Sequence, residues 1–173
     1  MKTFIEFLSE APWINPDIES DKLSDGKEPE TDSKNRHVIS KMSSGHVVKI
    51  KHYPNDSSYV SYTAHGQDDK LHMEVQGHKY NNKFNVGALN AYEGSTVRAH
   101  ELYHHLITHH DLHLHSDYEQ SEGGMKVWKK LHKMPGIHMQ SYNGSTEKYS
   151  ELKPSFQRLY DMDSSTRLAA KKI

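Results

Sequence analysis

The chain has 173 residues, 34% of them hydrophobic, and a mean hydropathy of −0.92. This suits one folded domain carrying appended segments too polar to bury a core. Lys plus Arg (22) nearly balances Asp plus Glu (23), so no strong nucleic-acid signal exists at neutral pH, and no apolar run approaches the roughly 20 residues that span a bilayer. Cysteine is absent, which excludes disulfides and thiolate metal sites and suits a reducing compartment; fifteen histidines are the unusual feature.

The chain opens with "MKTFIEFLSEA". Phe4, Ile5, Phe7 and Leu8 fall on one side of a short amphipathic helix over residues 1–10. The acidic residues and the missing apolar core rule out a secretory signal. Residues 11–37 are rich in Pro, Asp, Glu, Ser and Lys without periodicity, which predicts a disordered linker. The leader resembles the capsid-targeting sequences of T-even-type phage internal head proteins, which end at a Leu/Ile-x-Glu site; here that site is Leu8-Ser9-Glu10, followed by Ala11. The resemblance implies contact with a prohead scaffold, cleavage by a prohead protease after Glu10, and a location in the virion interior or, after delivery, the host cytoplasm.

The folded part is expected over 38–173. "GHVVKIKHY" (45–53) and "SYVSYTAH" (58–65) cluster β-branched and aromatic residues around a Pro54-Asn55-Asp56-Ser57 turn, a hairpin signal. "KLHMEVQG" (70–77) alternates as a third strand and "FNVGALNAY" (84–92) forms a fourth. Gly87 within that strand predicts a bulge or a close backbone approach. Gly94-Ser95-Thr96 is expected to open a helix whose apolar face is Val97, Leu102, Tyr103, Leu106 and Ile107. "LHLHSD" (112–117) reads as a short strand. "SEGGMKVWKKLHK" (121–133) is an amphipathic helix stopped by Pro135-Gly136, in which Gly123-Gly124 marks close packing and Trp128 a core position. "GIHMQSY" (136–142) is a further strand. "SSTRLAAKKI" reads as a final edge strand or a frayed helix, Lys171 and Lys172 suiting an exposed edge. The order β-β-β-β-α-β-α-β predicts an α+β fold: a mixed, mainly antiparallel sheet with helices packed on it.

The stretch "GSTVRAHELYHHLI", then "LHLHSDYEQSEGGMKVWKKL" and "GIHMQSY", resembles the second half of the GNAT N-acetyltransferase fold in a divergent, phage-encoded form, over about residues 84–142. The resemblance implies transfer of an acyl group from acetyl-CoA or another acyl-CoA to an amine. It places the CoA pyrophosphate on backbone N–H groups ahead of a helix N-terminus, at Glu93, Gly94, Ser95, Thr96, Val97 and Arg98. The family's Gln/Arg-x-x-Gly-x-Gly/Ala pattern survives only at Ala99, since Gly94 and Val97 stand where Gln/Arg and the middle Gly belong; weak CoA binding at most is the consequence. The two helices that follow the family's first strand and wall its acceptor site have no counterpart before His46. Where the family's sheet splays to admit the acyl group stand Ser116 and Asp117. Asp117 or Glu119 as base and Tyr118 as acid are the catalytic candidates, and the acceptor amine or host protein is unspecified.

His100-Glu101-Leu102-Tyr103-His104 also matches the zincin motif. Histidines at i and i+4 share a helix face and reach one Zn²⁺, with Glu101 as general base; His110 stands at the spacing of a third ligand. This alternative, a zinc-dependent hydrolase, is set against two observations. Ile107 occupies the position where such enzymes turn on Gly, and the apolar helix face points away from His100 and His104. The expected reading is surface histidines and no metal. A third alternative is a non-enzymatic internal head protein that inhibits a host defence.

Overall fold

The computed structural model of the chain describes residues 36–118, 121–152 and 166–173. The leader, the linker as far as residue 35, and Glu119 lie outside the described residues. The described residues make nine strands and two helices in the order β1 (Arg36–Lys41), β2 (Val47–Tyr53), β3 (Asp56–His65), β4 (Leu71–Tyr80), β5 (Lys83–Ala91), α1 (Ala99–His110), β6 (His113–His115), α2 (Glu122–His132), β7 (Ile137–Asn143), β8 (Lys148–Glu151) and β9 (Thr166–Lys172). They form one sheet in the order β1-β2-β3-β4-β5-β6-β9-β7-β8. All neighbours are antiparallel except β5 and β6. The class is α+β with a mainly antiparallel sheet, as the pattern of elements predicts.

The meander from β2 to β5 follows from local turn chemistry. Tyr53 pairs with Asp56 around a two-residue Pro54-Asn55 turn, and the Asp56 carboxylate accepts from Ser58 N (2.9 Å) and Ser58 Oγ (2.7 Å). Asn81, at φ 55°, makes the tight β4–β5 turn in a conformation that Asn tolerates better than most residues. The expected irregularity at Gly87 is present. Gln76 pairs with Ala88 and Gly77 with Val86, so Gly87 is the extra residue of a bulge.

Apolar residues of the strands point to one face and meet both helices in a continuous core, from Met42 and Val48 through Phe84 to Met139 and Ala170. Val97, Leu102, Tyr103, Leu106 and Ile107 are all buried, as the helical period requires. The two helices touch through Tyr103 and Trp128, with ring centroids 5.6 Å apart, and Gly123 and Gly124 are buried at the start of α2. Ser121 caps α2 by accepting from Gly124 N at 3.0 Å.

Three expectations are corrected, and one strand lies where the sequence predicts none. β1 takes Arg36 and His37, which composition assigns to the linker, and β8 (Lys148–Glu151) lies in a segment without a period-2 signal. Helix α1 starts at Ala99 and not at residues 94–96, because Gly94 adopts φ 73° and Ser95 N bonds back to Tyr92 O at 3.0 Å, closing a turn. The C-terminal segment is neither an edge strand nor a helix. As β9 it inserts between β6 and β7 and pairs with both; the small Ala169 and Ala170, fully buried, allow this.

Candidate functional site

The loop ahead of α1 carries the six residues that the sequence nominates for an acyl-CoA pyrophosphate. Four of its six backbone donors are already committed. Ser95 N donates to Tyr92 O (3.0 Å), Thr96 N to His72 Nδ1 (3.1 Å), Val97 N to Ser95 Oγ (3.3 Å) and Arg98 N to Glu101 Oε2 (2.9 Å). Acceptance at Nδ1 requires a neutral His72, and burial, then the neighbouring His46, hold its pKa below the usual histidine range. The Glu101 carboxylate caps the helix from within, so negative charge of the chain's own stands where the resemblance would place that of a ligand. Val97 is buried, while Glu93, Gly94 and the Arg98 side chain are exposed.

Beyond this loop the parallel pair parts. β5 pairs with β6 only over Lys83–Asn85, opposite His113–His115, and β5 continues to Ala91 while β6 ends. Ser116, fully buried, holds the end of β6 to β9: its hydroxyl accepts from Leu168 N (3.0 Å) and donates to Asp117 O (2.9 Å). Asp117 is exposed, and its carboxylate accepts from Tyr118 N at 2.7 Å. The Tyr118 hydroxyl accepts from Arg167 Nη2, and the guanidinium stands 3.8 Å from the ring centroid. Asp117 and Tyr118 are thus adjacent where the strands separate; the third candidate, Glu119, is outside the described residues.

The zincin residues do not converge. His104 Nε2 donates to Pro135 O at 2.9 Å, which leaves a lone pair on Nδ1 alone in that ring. Glu101 is the helix cap. His110 is drawn to β1, where its Nε2 lies 2.7 Å from Ser40 Oγ, and His105 Nε2 lies 2.8 Å from the same oxygen. Among the described residues no group of three or more His, Asp or Glu side chains is arranged to hold a metal ion. His105, which no motif singles out, is only 4% exposed. It stacks on His109 at 4.2 Å, and burial, then the repulsion of His109 and His110, push its pKa down to about 4.

Sequence reasoning missed the sheet face opposite the helices, which is polar but largely enclosed. On β4, Glu74 is buried and accepts from Ser61 Oγ and from Tyr92 OH (3.0 Å), with Arg36 Nη2 at 3.9 Å. At the other end, β5 to β9 bring Lys83, His113, His115, Tyr142, Tyr149 and Arg167 onto the same face. Tyr149 OH lies 3.0 Å from His115 Nε2, and Lys83 Nζ donates to Tyr142 OH at 3.3 Å. His115 is fully buried, and burial, then His113, Lys83 and Arg167, push its pKa down to about 3. For His113 burial leads, followed by Lys171, Lys83 and His138, and its pKa falls to about 4. The alternation of "LHLH" signalled one polar side of β6, but its companions on β7, β8 and β9 are too distant in sequence to be read from a local pattern.

Among family models, curated proteins and solved structures, none matches the chain.

Proposed function

We propose that this is a phage-encoded protein with a GNAT-like frame that works by binding and not by acyl transfer, carried in the head and delivered to the host. The observation that carries the reading is the self-satisfied loop. Four consecutive amides, from Ser95 to Arg98, are bonded to partners within the chain, and a pyrophosphate has to displace three side chains to reach them. Two features support the frame: the parallel β5–β6 pair that parts after Asn85, and the helix that follows β5. One departure speaks against catalysis. β1 passes to β2 through a five-residue turn containing Gly45 at φ 89°, where the family builds the helices that wall its acceptor site. Retained acyl transfer is the enzymatic version of the same proposal; Asp117, Tyr118 and Glu119 are its catalytic candidates.

Titration calorimetry with acetyl-CoA and CoA tests this. Affinity weaker than about 10 μM, or about −7 kcal/mol, is expected. Tighter binding with acetyl transfer to any amine would overturn the binding-protein reading and restore the acyltransferase. Packaging is tested separately by mass spectrometry of mature particles, where the chain is expected to begin at Ala11. Particles that contain it full-length, or lack it, would remove the leader from the proposal.

A further inference from the structure

The group on β5 to β9 is built as a site and is left with donors unfilled. Tyr149 stands on β8, the outermost strand, yet its ring reaches across β7 and β9 to stack on His113 (4.9 Å) and bond His115. The β9 residue paired with His115 is Ala169, whose methyl group gives the reaching side chain room. Tyr142 lies beneath, 4.8 Å from the Tyr149 ring. Tyr149 is therefore a cover, anchored on a short and exposed edge strand.

Under the cover, the hydrogen bonds do not close. The Lys83 ammonium has no acceptor capacity and acts on Tyr149 both by charge and by hydrogen bonding. A phenol proton directed to His115 Nε2 leaves the imidazole proton on Nδ1. That Nδ1 is buried without a partner, as are Arg167 Nε and His113 Nε2. A buried polar nitrogen left without a partner destabilises the fold. Among the described residues no carboxylate pairs with Lys83 or Arg167: Glu151 faces His138 at 3.3 Å, and Glu147 acts on Tyr149 by charge without a bond. Among the described residues the unpartnered buried acceptor on this face is Gln140 Oε1, beside Ala169, against three unpartnered nitrogens and two cations; donors and positive charge in such excess call for an oxygen-rich anion.

We propose that His115, Arg167 and Lys83, closed over by Tyr149, form a binding site for a tetrahedral oxyanion, the phosphate or sulfate group of a small ligand. Such a group presents several acceptors in different directions, whereas a carboxylate presents two in one plane. None of these residues belongs to the loop at 93–98, so the site stands whether or not acyl-CoA binds there.

The test uses the full chain, ¹⁵N-labelled, and titrates inorganic sulfate and inorganic phosphate at constant ionic strength set with chloride. Saturable shifts are expected in the His113 and His115 ring nitrogens and in the amides of β6, β8 and β9. Arg167→Gln and Lys83→Met should each weaken binding about tenfold or more, the loss of one charge-assisted bond. Tyr149→Ala lies on an exposed strand and serves should either of those fail to fold; it is expected to remove the stack on His113 and change the anion affinity. Shifts that rise linearly without saturation, or that saturate equally in wild type and every folded variant, would overturn the site. Acetate as effective as sulfate would overturn its tetrahedral selectivity. Because CoA is absent from every arm, these outcomes are independent of the acyltransferase question.

Discussion

At Gly77 an added Cβ would stand 2.0 Å from the Asn85 carbonyl oxygen and 3.1 Å from Gly87 N, both backbone atoms that cannot swing aside, whereas at Gly87 the nearest atom is 3.7 Å away. The bulge therefore needs its glycine on the strand opposite the extra residue. Gly77→Ala is expected to cost about 1–3 kcal/mol, an overpacking penalty, and Gly87→Ala much less. Urea denaturation of both variants checks the contrast, and equal losses would mean that the bulge lies elsewhere. The sequence marks Gly87 correctly, because a glycine inside an alternating run stands out. Gly77 is hidden at what reads as the end of a strand. His105 is hidden for a different reason. It lies beside Leu102 and Leu106 on the helix, but its burial and its bond to Ser40 depend on β1, 65 residues earlier, which no local period reports.

The same division between local and distant causes appears among the elements. The β2–β5 meander, both helices and β6 and β7 follow from turn residues and periods of 2 or 3.6, and their boundaries shift by only a few residues. β9 does not follow, because "TRLAAKK" contains one large apolar side chain and two lysines. Its central place comes from partners at Leu114 and Met139, both of which pair with Ala170. This makes Leu168, fully buried, a core residue, while Ile173, 85% exposed, is a tail. Leu168→Ala is expected to destabilise by about 2–5 kcal/mol, and Ile173→Ala by less than about 0.5 kcal/mol. Thermal melts distinguish the two. A mild Leu168→Ala would contradict an internal β9 and return the segment to the sheet edge that its charges suggest. The candidate sites divide likewise: the loop at 93–98 and the Asp117-Tyr118 corner are readable as short motifs, whereas the oxyanion group is assembled from five strands.

For the molecule as a whole, fifteen histidines and a formal charge of −1 make acid the revealing perturbation. Of the imidazoles whose pKa is lowered, three shift furthest, those of His105, His113 and His115, pushed down to about 4, about 4 and about 3; burial is the leading cause for each. In the unfolded chain the same groups titrate near about 6.5. A depressed histidine favours the fold fully above that value. As pH falls below it, the unfolded chain gains protons that the native state refuses, and the advantage drains away until the folded pKa is reached. Asp56 and Asp69 are held below the usual carboxylate range, chiefly by bonds from Ser58 and Lys49, so their support is lost in the same direction, at lower pH. Each histidine adds a slope of at most about 1.4 kcal/mol per pH unit. Three acting together remove stability at up to about 4 kcal/mol per unit, against a total of about 5–15 kcal/mol for a domain. The melting temperature should therefore hold near neutrality and fall steeply from about pH 6.5 towards pH 4, with net proton uptake on unfolding. Scanning calorimetry across that range, repeated with sulfate, checks both the buried histidines and the site that His113 and His115 help to form. An anion that pairs with the cationic group should soften the decline, because it favours protonated His113 and His115 in the folded state. A melting temperature unchanged between pH 7 and pH 4 would mean that these imidazoles titrate as freely in the fold as out of it.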